Sequence, residues 1–241
     1  MTAGPALRSM ITGLVGLAAT EELMLLALAP AGEPGTERCW AALPVIAHNA
    51  EFKDQQVQRL RAVASGDTPP DFGEIDHSSA EVYSGYAALP AGEVAARCAQ
   101  VSGELTSTLS AVSDEDLTDP SRHPWLRGRQ LWLQVIVRGF WHPMGHLGDY
   151  YLAHAQPERA VALAAHAVTT AGYLGAPDQA RGMASYNLAC VQARADQPNK
   201  AAVALREAIR LNPDLRANAG RDPDLAIVRD RGLLEDSPVT D

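Results

Sequence analysis

The stretch that decides the fold is Phe140 to Ala160, which reads "FWHPMGHLGDYYLAHAQPERA". Its first half contains His142 and His146, four residues apart, with Pro143 between them. Its second half has apolar and small residues at helical spacing, as expected at the start of a helical repeat. The stretch therefore raises the question of whether a metal site and a repeat module share one helix.

The rest of the chain shows helical spacing of its apolar residues and no strand-like alternation. The predicted helices before His154 span about residues 6–29, 37–64, 91–112 and 129–154. Pro44 lies in the first turns of the second helix, so we expect its regular part to begin there. A long connection rich in Gly, Pro, Ser and Asp, residues 65–92, leads to the third helix and is typical of a crossover or a functional lid. These features predict an all-α protein that begins with a four-helix bundle.

After the bundle, two segments of the sequence resemble each other at an offset of 41 residues, 145–167 and 186–213. Their alignment pairs small residues: Gly148 with Ala189, Ala160 with Ala201, and Ala167 with Ala208. The spacing resembles the tetratricopeptide pattern, whose usual repeat of about 34 residues implies an insertion here around residues 171–182. We therefore predict a bundle over residues 1–156 and tetratricopeptide-like hairpins over 144–241, which share the fourth helix and pack on the bundle.

Three histidines are candidates for metal ligands. His142 and His146 lie on one helix face about one turn apart, so both rings can reach a single ion. Pro143 removes a backbone donor and its ring presses on the carbonyl of Gly139, which predicts a kink at this point. His48, on the second helix, has apolar neighbours at helical spacing and is expected to point inward. The alternative for His48 is a core histidine held by one hydrogen bond.

The segments "HNAEFKDQQVQRL", residues 48–60, and "HPMGHLGDYY", residues 142–151, resemble the DinB-like family of four-helix bundles. That family includes the mycothiol-dependent maleylpyruvate isomerases and the bacillithiol transferases. Its members place one histidine on the second helix and two, four apart, on the last helix, around a divalent metal. The resemblance covers roughly residues 6–156 and implies that His48, His142 and His146 are the ligands here.

Three neutral imidazoles leave coordination positions open, as in a catalytic rather than a structural metal site. Imidazoles suit Zn, Ni, Fe or Cu, and a metal with an open position can lower the pKa of a bound thiol or water. The resemblance implies thiol transfer or isomerisation, so we expect a transferase, isomerase or hydrolase that acts on a small electrophile, with a low-molecular-weight thiol as a possible cosubstrate. Asp76 and His77, within the long connection, are candidates for proton transfer, with a solvated loop pair as the alternative.

A second hypothesis is a protein-interaction module without catalysis. Helical repeats commonly present a concave surface to a protein partner, and apolar bundle and repeat faces also make a homodimer plausible. The two hypotheses are compatible, because the shared helix would couple them.

Composition and charge restrict the cellular compartment and the classes of binding partner expected for the chain. The formal net charge of −9 and the absence of a basic run in the sequence argue against nucleic acid as a partner. The three cysteines form no CxxC pair, which favours a reducing compartment. Glu21 and Glu22 interrupt the apolar N-terminal run, which argues against a membrane span or a signal peptide. We therefore expect a cytoplasmic protein. Among the remaining candidates, Trp141 is expected to lie in the core, and no chemical role is assigned to His123, His154 or His166.

Overall fold

The computed structural model describes residues 4–30, 32–36, 38–72 and 80–233 of the chain. Within these residues the secondary structure is helical, with one isolated β-bridge between Thr36 and Cys39 and no strand. The prediction of an all-α protein is therefore confirmed. The chain forms two compact units, Met1–Tyr150 and Tyr151–Asp241, and the boundary falls within the stretch 144–156 that both predicted domains include.

Helices of the first unit follow the predicted order. They are α1 (Gly4–Leu28), α2 (Ala42–Ser65), α3 (Ala80–Ala87), α4 (Ala91–Leu109), the short α5 (Asp114–Thr118), a 3₁₀ turn (Pro124–Leu126), α6 (Leu131–Ile136), a π segment (Val137–Trp141) and α7 (His142–Ala153). The predicted fourth helix corresponds to α6, the π segment and α7, which follow one another without a break. Pro44 lies in the first turn of α2, where the missing N–H would have no helical partner anyway.

The core of the bundle consists of one apolar stripe on each long helix. On α4 the stripe recurs every three or four residues, as the sequence predicts for a helix with one buried face. Its members are Val94, Cys98, Val101, Leu105 and Leu109, and each is at most 3% exposed. On α1 the fully or nearly fully buried residues are Met10, Ile11, Leu14, Val15, Ala18 and Leu25.

A π segment lies immediately before Pro143, where the sequence predicts a kink. The N–H of His142 donates to the carbonyl of Val137, five residues earlier, so the helix widens immediately before the proline. Gly139, the residue four positions before Pro143, lies in close contact with two other helices. A Cβ at Gly139 would lie 2.7 Å from Leu105 Cδ2 of α4 and 2.9 Å from Val15 Cγ2 of α1. The glycine therefore permits close packing of three helices.

A buried ion pair joins α1 to α2. Lys53 and Glu22 are both 0% exposed, and the Lys53 ammonium donates to the Glu22 carboxylate. The same ammonium donates to Ser102 Oγ at 3.1 Å, and the Cys98 thiol donates to Glu22 Oε2 at 3.4 Å. Because both residues from α4 contact the pair, the charges tie α1, α2 and α4 together.

By length and composition, α1 is long and apolar enough to cross a membrane over Ala6–Leu28. Glu22 lies inside this stretch and is paired with Lys53 in the bundle interior. The pairing favours a core helix of the bundle, because a carboxylate near the centre of a bilayer is costly.

The second unit consists of helical hairpins. Its elements after α7 are α8 (Pro157–Tyr173), α9 (Asp178–Arg194), α10 (Pro198–Leu211), α11 (Leu215–Ala219), a 3₁₀ turn (Pro223–Leu225) and α12 (Ala226–Asp230). Alanines dominate the surfaces where α9 and α10 pack, and a Cβ at Gly182 would lie 2.7 Å from Asn212 Cβ. Small residues thus allow the two helices to approach closely.

The turns that precede α8 and α10 have the same geometry, 41 residues apart. Ala155 and Asp196 have φ of 54° and 55°. The amide that follows each of them donates to a carbonyl five residues earlier at 2.8 Å, and each next helix begins with a proline. These turns support the internal alignment, while the tetratricopeptide assignment stays a prediction.

We expect Gly139→Ala to destabilise the bundle by about 1–2 kcal/mol. Overpacking against Leu105 and Val15 outweighs the gain in helix propensity of up to ~1 kcal/mol. Urea denaturation monitored by circular dichroism measures the change. The control is Gly103→Ala on α4, where a Cβ would meet nothing within 4 Å and the expected change is neutral or stabilising. Equal behaviour of the two variants would contradict close packing at Gly139.

We expect Lys53→Met to cost about 3–5 kcal/mol of unfolding free energy, because it leaves the Glu22 carboxylate buried without its cation. Adding Glu22→Leu to this variant should recover a large part of the loss, since the unpaired charge is removed. Denaturation of both single variants and the double variant gives the coupling energy. Strictly additive losses would show that the two charges do not interact.

Candidate metal centre

Three histidine rings meet between α2 and α7. His48 Nε2 lies 3.1 Å from His142 Nε2 and 3.2 Å from His146 Nε2, and one ligand atom of each residue lies within 4.8 Å of the others. The ring centroids of His142 and His146 are 5.0 and 4.7 Å from that of His48. The structure thus brings together the three side chains that the sequence singled out.

The spacing of the nitrogens fits a shared ion. With metal–nitrogen bonds of about 2.1 Å, two ligands of one ion are about 3.0 Å apart in octahedral and about 3.4 Å apart in tetrahedral geometry. The two Nε2 distances from His48, 3.1 and 3.2 Å, lie between these limits. Imidazole nitrogens from two helices are also a donor set that Zn, Ni and Fe accept.

Hydrogen bonding between the rings accounts for the arrangement less well. His48 Nε2 faces both other Nε2 atoms, and a neutral imidazole nitrogen either donates one hydrogen or offers one lone pair. It can therefore make one of the two contacts as a good hydrogen bond but not both. A cation at the meeting point satisfies all three lone pairs at once, which favours a metal over the core-histidine alternative.

The three ligand candidates differ in exposure. His48 is 1% exposed, whereas His142 and His146 are partly exposed. The Phe52 ring stacks on the His142 ring, with centroids 4.1 Å apart and planes 18° apart. The stacking fixes the plane of that imidazole, and an ion held here would be reached from the side of α7.

Two aromatic residues flank His48. The Trp40 ring packs edge-on at 5.5 Å and the Tyr86 ring at 5.8 Å from its centroid. The Tyr86 hydroxyl donates to Glu51, one turn after His48 on α2. Burial, and next the bond to Glu51, raise the pKa of Tyr86, so its hydroxyl stays protonated. Neither Tyr86 nor Glu51 was among the candidates predicted from the sequence, although the position of Glu51 three residues after His48 was an available signal.

The other sequence candidates have different outcomes. Asp76 and His77 lie outside the described residues, and their proton-transfer role stays a prediction. Trp141 is 6% exposed and fills core, as expected. His123 Nε2 lies 3.0 Å from the Asp116 carbonyl oxygen, so it holds the loop before α6.

A second group with possible metal ligands, Cys190, Asp222 and Asp224, lies in the second unit. The Asp222 carboxylate already accepts hydrogen bonds from other groups. Asp222 caps the 3₁₀ turn by accepting from the amide of Asp224 and also accepts from Tyr186 at 2.7 Å. Burial, followed by the nearby carboxylates, raises the pKa of the Cys190 thiol, which disfavours the thiolate that binds metals. This group is better explained as a capping network.

Comparison with known proteins agrees with the geometry of the first unit. The family model described as the DinB superfamily matches residues 17–149, a stretch that includes all three histidines. No curated protein and no solved structure matches the chain. Because the match covers more than half of the chain and the matched part is a helical bundle, the protein belongs to the DinB superfamily.

Proposed function

We propose that the protein binds a divalent transition metal through His48, His142 and His146 and is an enzyme. A metal held by these residues would supply the Lewis acid that activates a low-molecular-weight thiol or water against a small electrophile, and the protein would then be a transferase, isomerase or hydrolase. The observation that carries the proposal is the convergence of three imidazole nitrogens from two helices, with His48 Nε2 at 3.1 and 3.2 Å from the others. Membership of the DinB superfamily supports it.

The histidines would hold the ion from one side. His48 is buried at the base of the site, and the partly exposed His142 and His146 leave the opposite side for a ligand. The bound ion would supply a Lewis acid that lowers the pKa of the coordinated thiol or water. Phe52 keeps the His142 ring in plane, and Trp40 limits access of solvent to His48.

Tyr86 and Glu51 are groups for proton movement close to His48: the ring centroids of Tyr86 and His48 are 5.8 Å apart, and Glu51 lies one turn after His48 on α2. Glu51 can accept the proton of a bound nucleophile, and once Glu51 is protonated the Tyr86 hydroxyl, which donates to Glu51 in this structure, can instead donate its hydrogen bond to a developing negative charge. Asp76 and His77 remain additional candidates for this role.

We expect the purified protein to contain about one transition-metal ion per chain. His48→Ala, His142→Ala and His146→Ala should each weaken metal binding by more than the ~10–100-fold typical of changes next to a ligand, because each removes a ligand itself. Inductively coupled plasma mass spectrometry measures the metal content of each variant. A chelator should lower the melting temperature of the metal-bound wild type but not that of the three ligand variants. His166→Ala, an exposed histidine of α8, is the control. Full metal retention in the ligand variants would rule out the site.

We expect Tyr86→Phe to keep its metal but to react about 100-fold more slowly or worse, because general acid–base groups contribute about 10²–10⁴ in rate. The assay combines a panel of small thiols with a chromogenic electrophile. Tyr83→Phe is the matched control, since Tyr83 and Tyr86 pack at 5.7 and 5.9 Å against the same Trp40 ring. An unchanged rate in Tyr86→Phe, with a measurable wild-type rate, would exclude Tyr86 from the chemistry.

The second candidate function is a protein-interaction module formed by the hairpins of the second unit, which binds a protein partner or a second copy of the chain. The observation that favours it is the exposure of two large apolar side chains there, Tyr173 at 89% and Val203 at 60%. A purified chain without stoichiometric metal would favour this function over the enzyme.

A further inference from the structure

Four arginines that are scattered in the sequence lie near one another in the bundle. Arg59 lies on α2, Arg127 and Arg129 follow the 3₁₀ turn, and Arg138 lies on the π segment. Arg59, Arg127 and Arg129 line one pocket of about 550 Å³, together with Pro69, Pro70, Asp71, Trp125 and Gln134. The absence of a basic run in the sequence therefore did not exclude a basic pocket in the fold.

Aromatic rings cover flat faces of two of these guanidinium groups. The Arg59 guanidinium lies 4.8 Å from the Phe72 ring centroid and 6.0 Å from that of Trp125. The Arg138 guanidinium lies 4.5 Å from the Phe52 centroid. When an aromatic ring packs against the face of a guanidinium, the N–H groups at the edge of the guanidinium remain available to the two oxygens of a carboxylate or phosphate. The arrangement holds donor edges in place before any ligand arrives.

One donor in this group is buried without a partner. Arg59 Nη1 has almost no solvent access and makes no hydrogen bond to any described residue. A buried donor on a charged group that lacks an acceptor is costly, and an acceptor in the pocket that Arg59 lines could satisfy it once the guanidinium turns toward that pocket.

The positive charges are also poorly compensated by the protein. None of the four arginines forms an ion pair within 4.0 Å with a carboxylate of the described residues. Asp71 lies near Arg59 and raises its pKa, but burial has the larger effect and lowers it. Burial and the charges of Arg59 and Arg129 lower the pKa of Arg138. Asp71 is the carboxylate among the pocket's described lining residues, against three arginines, so the lining has an excess of positive charge that attracts an anion.

We propose that this pocket binds the oxyanion group, a carboxylate or a phosphate, of a small molecule. Arg59 and Arg129 donate to the oxyanion, and Arg127, held at φ 53° before Gly128 at φ 81°, closes the pocket from the turn. The volume suits a small organic acid or phosphate ester. Binding of the anion requires neither the metal ion nor catalysis.

Arg138 does not line the pocket, but it lies near Arg59 and Arg129, whose charges lower its pKa, and it contacts a neighbour of the metal centre. The Phe52 ring stacks on His142 at 4.1 Å and lies under the Arg138 guanidinium at 4.5 Å. If the proposed enzymatic function holds, a substrate that carries a carboxylate or phosphate could be anchored at the arginines while its reactive end approaches the metal.

Calorimetric titration with inorganic phosphate and, separately, with succinate tests the proposal at constant ionic strength maintained with NaCl. Saturable binding of either anion is expected, and the two titrations distinguish a phosphate from a carboxylate ligand. Arg59→Gln and Arg129→Gln should each weaken binding about tenfold or more, because each removes charge-assisted hydrogen bonds. Arg129 is exposed, so its substitution tests the pocket even if Arg59→Gln fails to fold.

The matched control is Arg61→Gln, which removes one positive charge from α2, as Arg59→Gln does. Arg61 pairs with Glu104 at 3.0 Å and does not line the pocket. The titrations are repeated with His142→Ala and with chelator, where binding should persist. Absence of saturable binding at millimolar concentration would overturn the proposal. An equal loss in Arg61→Gln, or loss of binding together with the metal, would overturn it as well.

Discussion

The close approach of three helices at Gly139 is the constraint on which the geometry of the bundle depends. Without a Cβ at this position, the π segment packs directly against Leu105 of α4 and Val15 of α1. His142 follows three residues later on the same helical stretch, so the contact at Gly139 and the widened turn before Pro143 together set its direction. The meeting of the imidazoles is thus a consequence of backbone packing and not of the ligands alone.

Helix α2 carries polar groups on more than one side because it lies at the centre of the unit. Its buried polar residues are His48, Asn49, Lys53, Gln55 and Gln56. One side turns His48 toward α7, and another places Lys53 against Glu22 of α1. A buried ion pair contributes little net stability compared with apolar packing, but it penalises any register in which the charges do not meet. Lys53 and His48 lie on the same helix, so the packing that brings Lys53 to Glu22 also contributes to the position of His48.

The sequence predicted the parts of the fold that follow from local pattern. The apolar stripe of α4 is visible as spacing, and the His142–His146 pair lies on one face by helical geometry. The turns at Ala155 and Asp196 are each followed by Gln-Pro, and this pair recurs 41 positions apart. The sequence predicts a kink at Pro143, and the structure has a widened π turn immediately before this residue; the form of such an irregularity depends on the packing of the neighbouring helices. The Tyr86–Glu51 contact was missed because it joins side chains from different helices.

What the sequence determined by itself was the helical class and the family of the bundle, and it pointed to an internal resemblance and to three candidate histidines, because each depends on residue spacing along one chain segment or on a family pattern. Only the tertiary structure decided how close His48 comes to His142 and His146 and which residues surround them. It alone gathered the arginines at 59, 127, 129 and 138 into a cluster. The physical reason is that distances between segments depend on packing between helices, which no spacing within a single helix encodes.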